Sequence, residues 1–489
     1  MKSKLDVFSK VTRNVKYVIL GAIAPLVFTG CISNMTAAIG IDSTNAKAQD
    51  EKFIAGAYGE AAALACEDKD KEAKLDEANL LPTLYAGNSL LFDHNYTGSL
   101  ALLNESEEII KFHHEEAIAG NIADYIAKLA INDAAIDYHA TINESIMVNT
   151  YKAIDYMALG KFGSARIELN RAIDRQRRAK NTYAKLIGQQ KKAINKKKKE
   201  KEVKGKDGKK NTGFSKTLSN AKIKDALKKN YSNLDQFKAY PDFVNPFTTY
   251  LAGLYFAIQG DYSKSSSLLK QTYGMTKNKT VKSDFKMVEK ALSGRKVRDK
   301  YVWVIYENGL GPIKSQFKIN IPMYLFPSAN IPYVGIALPK LETRNQATPY
   351  LSVFSQNKEL AKTSIVGEMD RVVKTEFKYS YNDVLTRAVL SAIIKAYAQH
   401  ELSKHAGIMG KIGGGITTFL TTQADTRNWM NMPKDFQVAR VKMPKSKKLT
   451  LKAGTQNLDV EIGKKAKHAI VHVRIPTAVS KPSVSVINF

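Results

Sequence analysis

Cysteine is almost absent from this 489-residue chain, which has only Cys31 and Cys66. Two cysteines can form one bridge at most, so a disulfide framework is excluded. Acidic residues are also scarce: 46 against 75 Lys and Arg, a formal net charge of +29. That excess limits partners to anionic ones, namely lipid headgroups, lipopolysaccharide, acidic proteins or nucleic acid. Proline is nearly missing from 51 to 297, leaving that stretch free to be helical. The apolar run VILGAIAPLVFTG at 18–30 is too short to span a bilayer as a mature helix, and Pro25 interrupts it.

Motifs of catalysis are missing as well. No nucleophile elbow of the form GxSxG occurs. The glycine-rich GIMGKIGGGITTF at 407–419 lacks the Lys-Ser/Thr of a phosphate loop and follows a helix pattern, not a strand, so it reads as a connector. His113-His114-Glu115-Glu116 is the best metal candidate, but adjacent helical residues point about 100° apart, and the four read as surface polar residues. Asp425, Arg427 and Trp429 suggest a structural ion pair beside an aromatic ring. No catalytic residue, cofactor or metal ligand is assigned.

The N-terminus does carry a signal. Lys2, Lys4, Lys10, Arg13 and Lys16 precede the apolar run, and the small residues Thr29 and Gly30 precede Cys31. The segment resembles a bacterial lipobox, with Phe28 where Leu is usual. The resemblance implies cleavage before Cys31, a signal peptide over 1–30 and acylation of Cys31, each buried CH₂ adding roughly 0.8 kcal/mol of membrane affinity. Ile32 in place of Asp implies sorting to the outer membrane, facing the periplasm. Cys66 then has no partner and reads as a small buried helix residue. A nucleic-acid partner does not fit that address.

Residues 31–50 read as a tether, and 51–297 as an all-α domain. Within it YKAIDYMALGKFGSARIELNRAIDR aligns with TYLAGLYFAIQGDYSKSSSLLKQTYGM. Ala153 falls over Gly253, Tyr156 over Phe256, Gly160 over Gly260, Phe162 over Tyr262 and Ala165 over Ser265. A fainter copy places Gly87, Leu90, Tyr96, Ser99 and Leu103 in the same slots. The spacing is that of the tetratricopeptide repeat: small residues let two helices approach, a glycine turns the chain, and aromatics fill the gap.

A basic insertion interrupts the helices at about 177–240. Residues 175–240 hold 22 Lys or Arg against 5 Asp or Glu. Lys196, Lys197, Lys198, Lys199, Lys201 and Lys204 form its densest part, expected to contact an anionic surface such as lipid or lipopolysaccharide.

Near 300 the pattern changes to β-branched and aromatic alternation. YVWVIYENGLGP predicts a hairpin turning at Asn308-Gly309, with Glu307 beside it. IPYVGIALPKL, TPYLSVF and IVGEMDRVVKTEFKYS predict further strands, 381–405 predicts an amphipathic helix, and 430–489 predict strands and turns. The fold class is therefore α+β and multidomain, with N-terminal helical repeats and a strand-rich α+β domain over 300–489.

The phrases ARIELNRAIDRQRRA, VIYENGLGPIK, IPYVGIALPKL and DTRNWMNMPKDFQVARVKMP resemble a family of uncharacterised bacterial lipoproteins bearing tetratricopeptide-like repeats. The resemblance implies no catalytic residues. The function expected is a periplasmic interaction scaffold whose repeats offer a concave face to envelope proteins. The alternative is an envelope enzyme or ligand-binding protein with its site in the strand-rich half.

Overall fold

The computed structural model describes residues 44–69, 79–119, 138–179, 181, 221–232, 240, 244–322, 333–378, 384–385, 388 and 424–489. Helices come first: α1 (Thr44–Ala55), α2 (Tyr58–Glu67), α3 (Leu80–Phe92), α4 (Tyr96–Ala119), α5 (Ile142–Ala158) and α6 (162–179). They continue with α7 (Ala221–Tyr231), α8 (Pro246–Ile258), α9 (Tyr262–Thr276) and α10 (Lys279–Leu292). Strands follow: β1 (Tyr301–Asn308), β2 (Ile313–Pro322), β3 (Tyr333–Glu342), β4 (Ser352–Ser355), β5 (Lys358–Lys362) and β6 (Ser364–Glu368). After a helix α11 (369–378) come β7 (Asp435–Lys442), β8 (Lys448–Ala453), β9 (Gln456–Glu461), β10 (Ala469–Ile475) and β11 (Ser483–Asn488). The chain is thus mixed α+β, helical first and strand-rich second.

Three helical hairpins, α3/α4, α5/α6 and α8/α9, share one turn. His94, Gly160 and Gly260 each sit at positive φ (65°, 70° and 80°), a conformation glycine reaches without cost. In each turn the next amide reaches back to the first helix: Asn95 to Leu90, Lys161 to Tyr156 and Asp261 to Phe256, at 2.8–2.9 Å. This closure satisfies carbonyls that a helix end otherwise leaves open.

Sixteen residues separate the members of each close contact between paired helices. A Cβ at Gly87 would lie 2.9 Å from Leu103, and one at Gly253 would lie 3.0 Å from Leu269. Ala153 and Leu169 hold the corresponding places, both fully buried. Neighbouring hairpins are tied by polar contacts. Ser99 donates to Asp155 (2.7 Å), Tyr255 to the Phe162 carbonyl (2.5 Å), and the Thr150 and Thr248 hydroxyls meet at 2.9 Å. Arg166 pairs with Asp261 at 2.5 Å. Between α4, α5 and α6, Lys152 is buried with Glu107 (2.5 Å) and Glu168 (3.2 Å).

The strands form a five-stranded sheet in the order β11-β10-β1-β7-β6, a pair β2-β3, and a four-stranded sheet β5-β4-β8-β9. β1 runs parallel to β10 and antiparallel to β7. Its alternate residues serve two cores. Trp303 and Ile305 join Phe436, Val438 and Ile470 in the core shared with the helices. Val302, Val304 and Tyr306 join Leu449, Leu451 and Val460 under the four-stranded sheet. Helices, central sheet and outer sheet therefore make three layers, with β1 covered on both faces. Among the described residues no helix is long and apolar enough to cross a membrane.

Several expectations need correction. Asn308-Gly309 is not a hairpin turn: β1 pairs with β10 and β7, while β2 leaves to pair with β3. The stretch IVGEMDRVVKTEFKYS is strand only to Glu368, then helix over 369–378, where Met369, Val372 and Phe377 turn inward at helical spacing. Part of the expected tether is helical, since α1 begins at Thr44. His113 is buried and stacked on His139 at 4.4 Å, so it is not a surface residue.

Candidate functional site

The helix-facing side of the central sheet turns polar at one end. β10 alternates Ile470, His472 and Arg474 toward the helices, and β1 ends there with Glu307. Arg474 lies opposite Glu307 in the parallel register. His472 Nε2 meets Glu307 Oε1 at 2.7 Å, and the Tyr151 hydroxyl from α5 donates to Oε2 at 2.9 Å. Arg474 donates to the carbonyls of Glu307 (3.2 Å), Gly309 (2.6 Å) and Asn431 (3.2 Å). Its guanidinium lies over the rings of Phe53 and Phe92, 5.4 and 5.8 Å from their centroids.

These groups are closed from solvent: Glu307, Arg474 and Tyr151 have no exposed surface. Burial and the Glu307 carboxylate both push the Tyr151 hydroxyl well above its ordinary range, so it stays protonated. Both Glu307 oxygens already accept hydrogen bonds. The arrangement fixes α5 against the sheet, and no nucleophile stands beside a base.

Around Arg474, polar atoms lack partners. They are the side-chain amides of Gln49 and Asn88, Oδ1 of Asn431 and Nε of Arg474 itself. Gln49 is one helical turn before Phe53, and Asn88 one turn before Phe92, so both share a face with the rings that flank Arg474. Buried amides are ordinarily satisfied, by ordered water where protein supplies no partner.

A second polar knot surrounds the start of α5. Thr141 and Glu144 form a capping box, and the Trp429 amide donates to Glu144 (3.0 Å). Glu376 from α11 accepts from the Asn143 amide at 2.9 Å. Burial, followed by the nearby Glu144 charge, raises the Glu376 carboxyl to about 7 despite that hydrogen bond. A third knot places Asp284 of α10 against Tyr250 (2.8 Å), Trp303 (3.1 Å) and Arg440 (2.8 Å).

The residues expected to pack the hairpins lie where hairpin contacts occur. Gly87, Ala153, Ala165, Gly253 and Phe256 are buried, Gly160 and Gly260 turn, and Tyr156, Phe162 and Tyr262 line the core partly buried. Cys31 and Lys196, Lys197, Lys198, Lys199, Lys201 and Lys204 lie outside the described residues, as do 407–419 and most of 381–405. Cys66 is half-buried on α2, and burial pushes its thiol up. Asp425 and Arg427 pair at 2.9 Å, and Trp429 packs edge-on against Tyr151. Among the described residues no group of three or more His, Cys, Asp or Glu side chains could hold a metal ion.

The first helices of the hairpins meet the chain's own sheet. Phe247 of α8 stacks on Phe436 of β7 at 3.8 Å, Tyr151 reaches Glu307, and Phe92 lies beside His472. The first helix of each hairpin is thus covered by the chain's own sheet. Residues 246–257 are all buried.

Comparison with protein-family models, curated proteins and solved structures finds no match.

Proposed function

We propose that the chain is an outer-membrane lipoprotein, held by acylated Cys31 on the periplasmic side, that serves as a protein interaction scaffold built on tetratricopeptide-like hairpins. The observation that supports this reading is the threefold recurrence of one hairpin, with the same left-handed turn and the same small-residue contact sixteen residues from a buried leucine. Because the sheet covers the first helices, partners meet the outer face made by the second helices. There Ile167 of α6 is 52% exposed next to Arg166 and near Arg171. Basic residues of the 177–240 insertion add electrostatic contact with anionic lipid or lipopolysaccharide. A photocrosslinking residue placed at 167 in intact cells should yield a discrete protein adduct, absent when the same residue replaces exposed Val479. Identical adducts from both positions, or none at 167, would refute the scaffold face.

The unpartnered amides around Arg474 favour a second reading, in which the strand-rich half binds a small polar ligand. A structure with ordered solvent decides it: waters bonded to Gln49, Asn88 and Asn431 end that reading, and a non-water molecule there supports it.

A further inference from the structure

The end of the central sheet where β1 begins is strongly cationic, through folding rather than through sequence. Tyr301 lies opposite Lys442 and Val302 opposite Ala469, so the start of β1, the end of β7 and the start of β10 sit side by side. The Met443 amide donates to the Lys300 carbonyl (2.8 Å), and the Tyr301 amide to His468 Nδ1 (3.2 Å), holding the three loops together. The loop 293–300, SGRKVRDK, carries Arg295, Lys296, Arg298 and Lys300, all exposed. Residues 442–448 and 464–467 each add three exposed lysines. Ten exposed cations therefore face one acid in these loops, Asp299, which Lys442 already holds at 3.2 Å.

Two apolar side chains stand at the edge of this charge. Leu292 is 49% exposed and Val297 36% exposed, the latter between Lys296 and Arg298. Cations around an exposed aliphatic residue match a bilayer interface, where phosphates meet the charge and the acyl boundary receives the side chain. The aromatic at this end, Tyr301, is covered by Arg440 at 4.4 Å and packs beside Trp303, so no free ring is offered for stacking on a base.

We propose that this end of the sheet is a docking surface for an anionic lipid bilayer, with the 293–300 loop entering the headgroup layer. It is a folded surface, formed by residues other than the lysines at 196–204. It draws on the lipoprotein reading only for a membrane within reach. α1 docks at the opposite end of the sheet, where Ser480 donates to the Ile54 carbonyl. Residues 31–44 can extend at most about 45 Å, and an eight-residue strand such as β1 is about 26 Å long. A side-on molecule can therefore satisfy both attachments.

The native tryptophans, Trp303 and Trp429, are buried. Val297→Trp in the full chain then supplies the one exposed indole among described residues. On vesicles of phosphatidylcholine mixed with phosphatidylglycerol at low salt, its emission should move to shorter wavelength; on pure phosphatidylcholine it should not. Exchange of Arg295, Lys296, Arg298 and Lys300 for Gln should abolish the shift, each lost cation weakening association about fivefold at low salt. High salt should do the same, and circular dichroism should show the variant folded. Retention on neutral vesicles reports the anchor alone, so loss of the lipoprotein reading is distinguishable. Equal emission on both vesicles at low salt would overturn the proposal. A shift seen with a soluble oligonucleotide but not with anionic vesicles would overturn it in favour of a nucleic-acid surface.

Discussion

Replacement of Gly253 tests the hairpin contact most sharply. A Cβ there would stand 3.0 Å from Cγ and Cδ2 of Leu269 and 3.3 Å from Cβ of Leu268. Leu269 is fully buried. Ser265 donates to the Gly253 carbonyl at 2.6 Å, fixing the separation of α8 and α9. Gly253→Ala needs only a few tenths of an ångström from its neighbours, and alanine returns about 1 kcal/mol of helix propensity, so the net change should lie near zero. Gly253→Leu drives three further carbons into the same gap, an overpacking cost of about 1–3 kcal/mol or more. At about 2 °C per kcal/mol for a large domain, thermal unfolding should fall by several degrees for leucine and hardly at all for alanine. Ala153→Gly, in the equivalent seat beside Leu169, should cost about 1 kcal/mol through lost propensity. Calorimetry or far-ultraviolet dichroism of the three variants provides the ranking. A leucine variant that unfolds with the wild type would mean the two helices are not in the contact described.

Three other outcomes are expected. Cys31→Ala should leave unprocessed precursor and abolish acyl labelling in cells; mature, membrane-bound protein in that variant would end the lipobox reading. Glu376, held at about 7 by burial, contributes its stability most fully below about 4.5 and loses it as pH rises toward 7. Glu376→Gln should flatten that part of the stability profile in denaturant titrations, and an unchanged slope would count against the burial. Burial alone would raise Glu107, but hydrogen bonding and charge from Lys152 and then Arg175 outweigh it and bring it to about 2. Its stabilisation is therefore present above about 4.5 and is lost as pH falls toward 2. Lys152→Met should destabilise at neutral pH by less than the about 3–5 kcal/mol of a fully stranded buried charge, because Glu107 keeps Arg175 at 2.9 Å and Glu168 keeps Arg171 at 2.7 Å. The penalty should shrink in acid, and a neutral effect at pH 7 would refute the buried network.

Helical hairpins were legible because their determinants are local. Gly160 and Gly260, with Ala153 and Gly253, leave a spacing that any long-range context preserves, and His94 shows the turn surviving without glycine. The polar seam was not legible. His472 and Arg474 alternate with Val471 and Val473, which reads as one buried and one solvated face, yet helices cover the polar side. In the sequence Glu307 reads as part of a turn, because Asn-Gly usually closes a hairpin. What decides its role is which strand β1 meets, and the parallel partner β10 lies over 160 residues away. The basic end of the sheet is hidden in the sequence for the same reason, its loops being brought together by strands far apart in the chain.

Native-state hydrogen exchange tests directly whether the hairpins and the sheet are one body. With Phe247 stacked on Phe436 and Tyr151 bonded to Glu307, the amides of α5 and α8 should exchange only with those of β1 and β10. They should share one opening free energy and one denaturant dependence. Exchange of α5 and α8 through a separate, lower-energy opening while the sheet stays protected would contradict the covered inner face and restore an open groove.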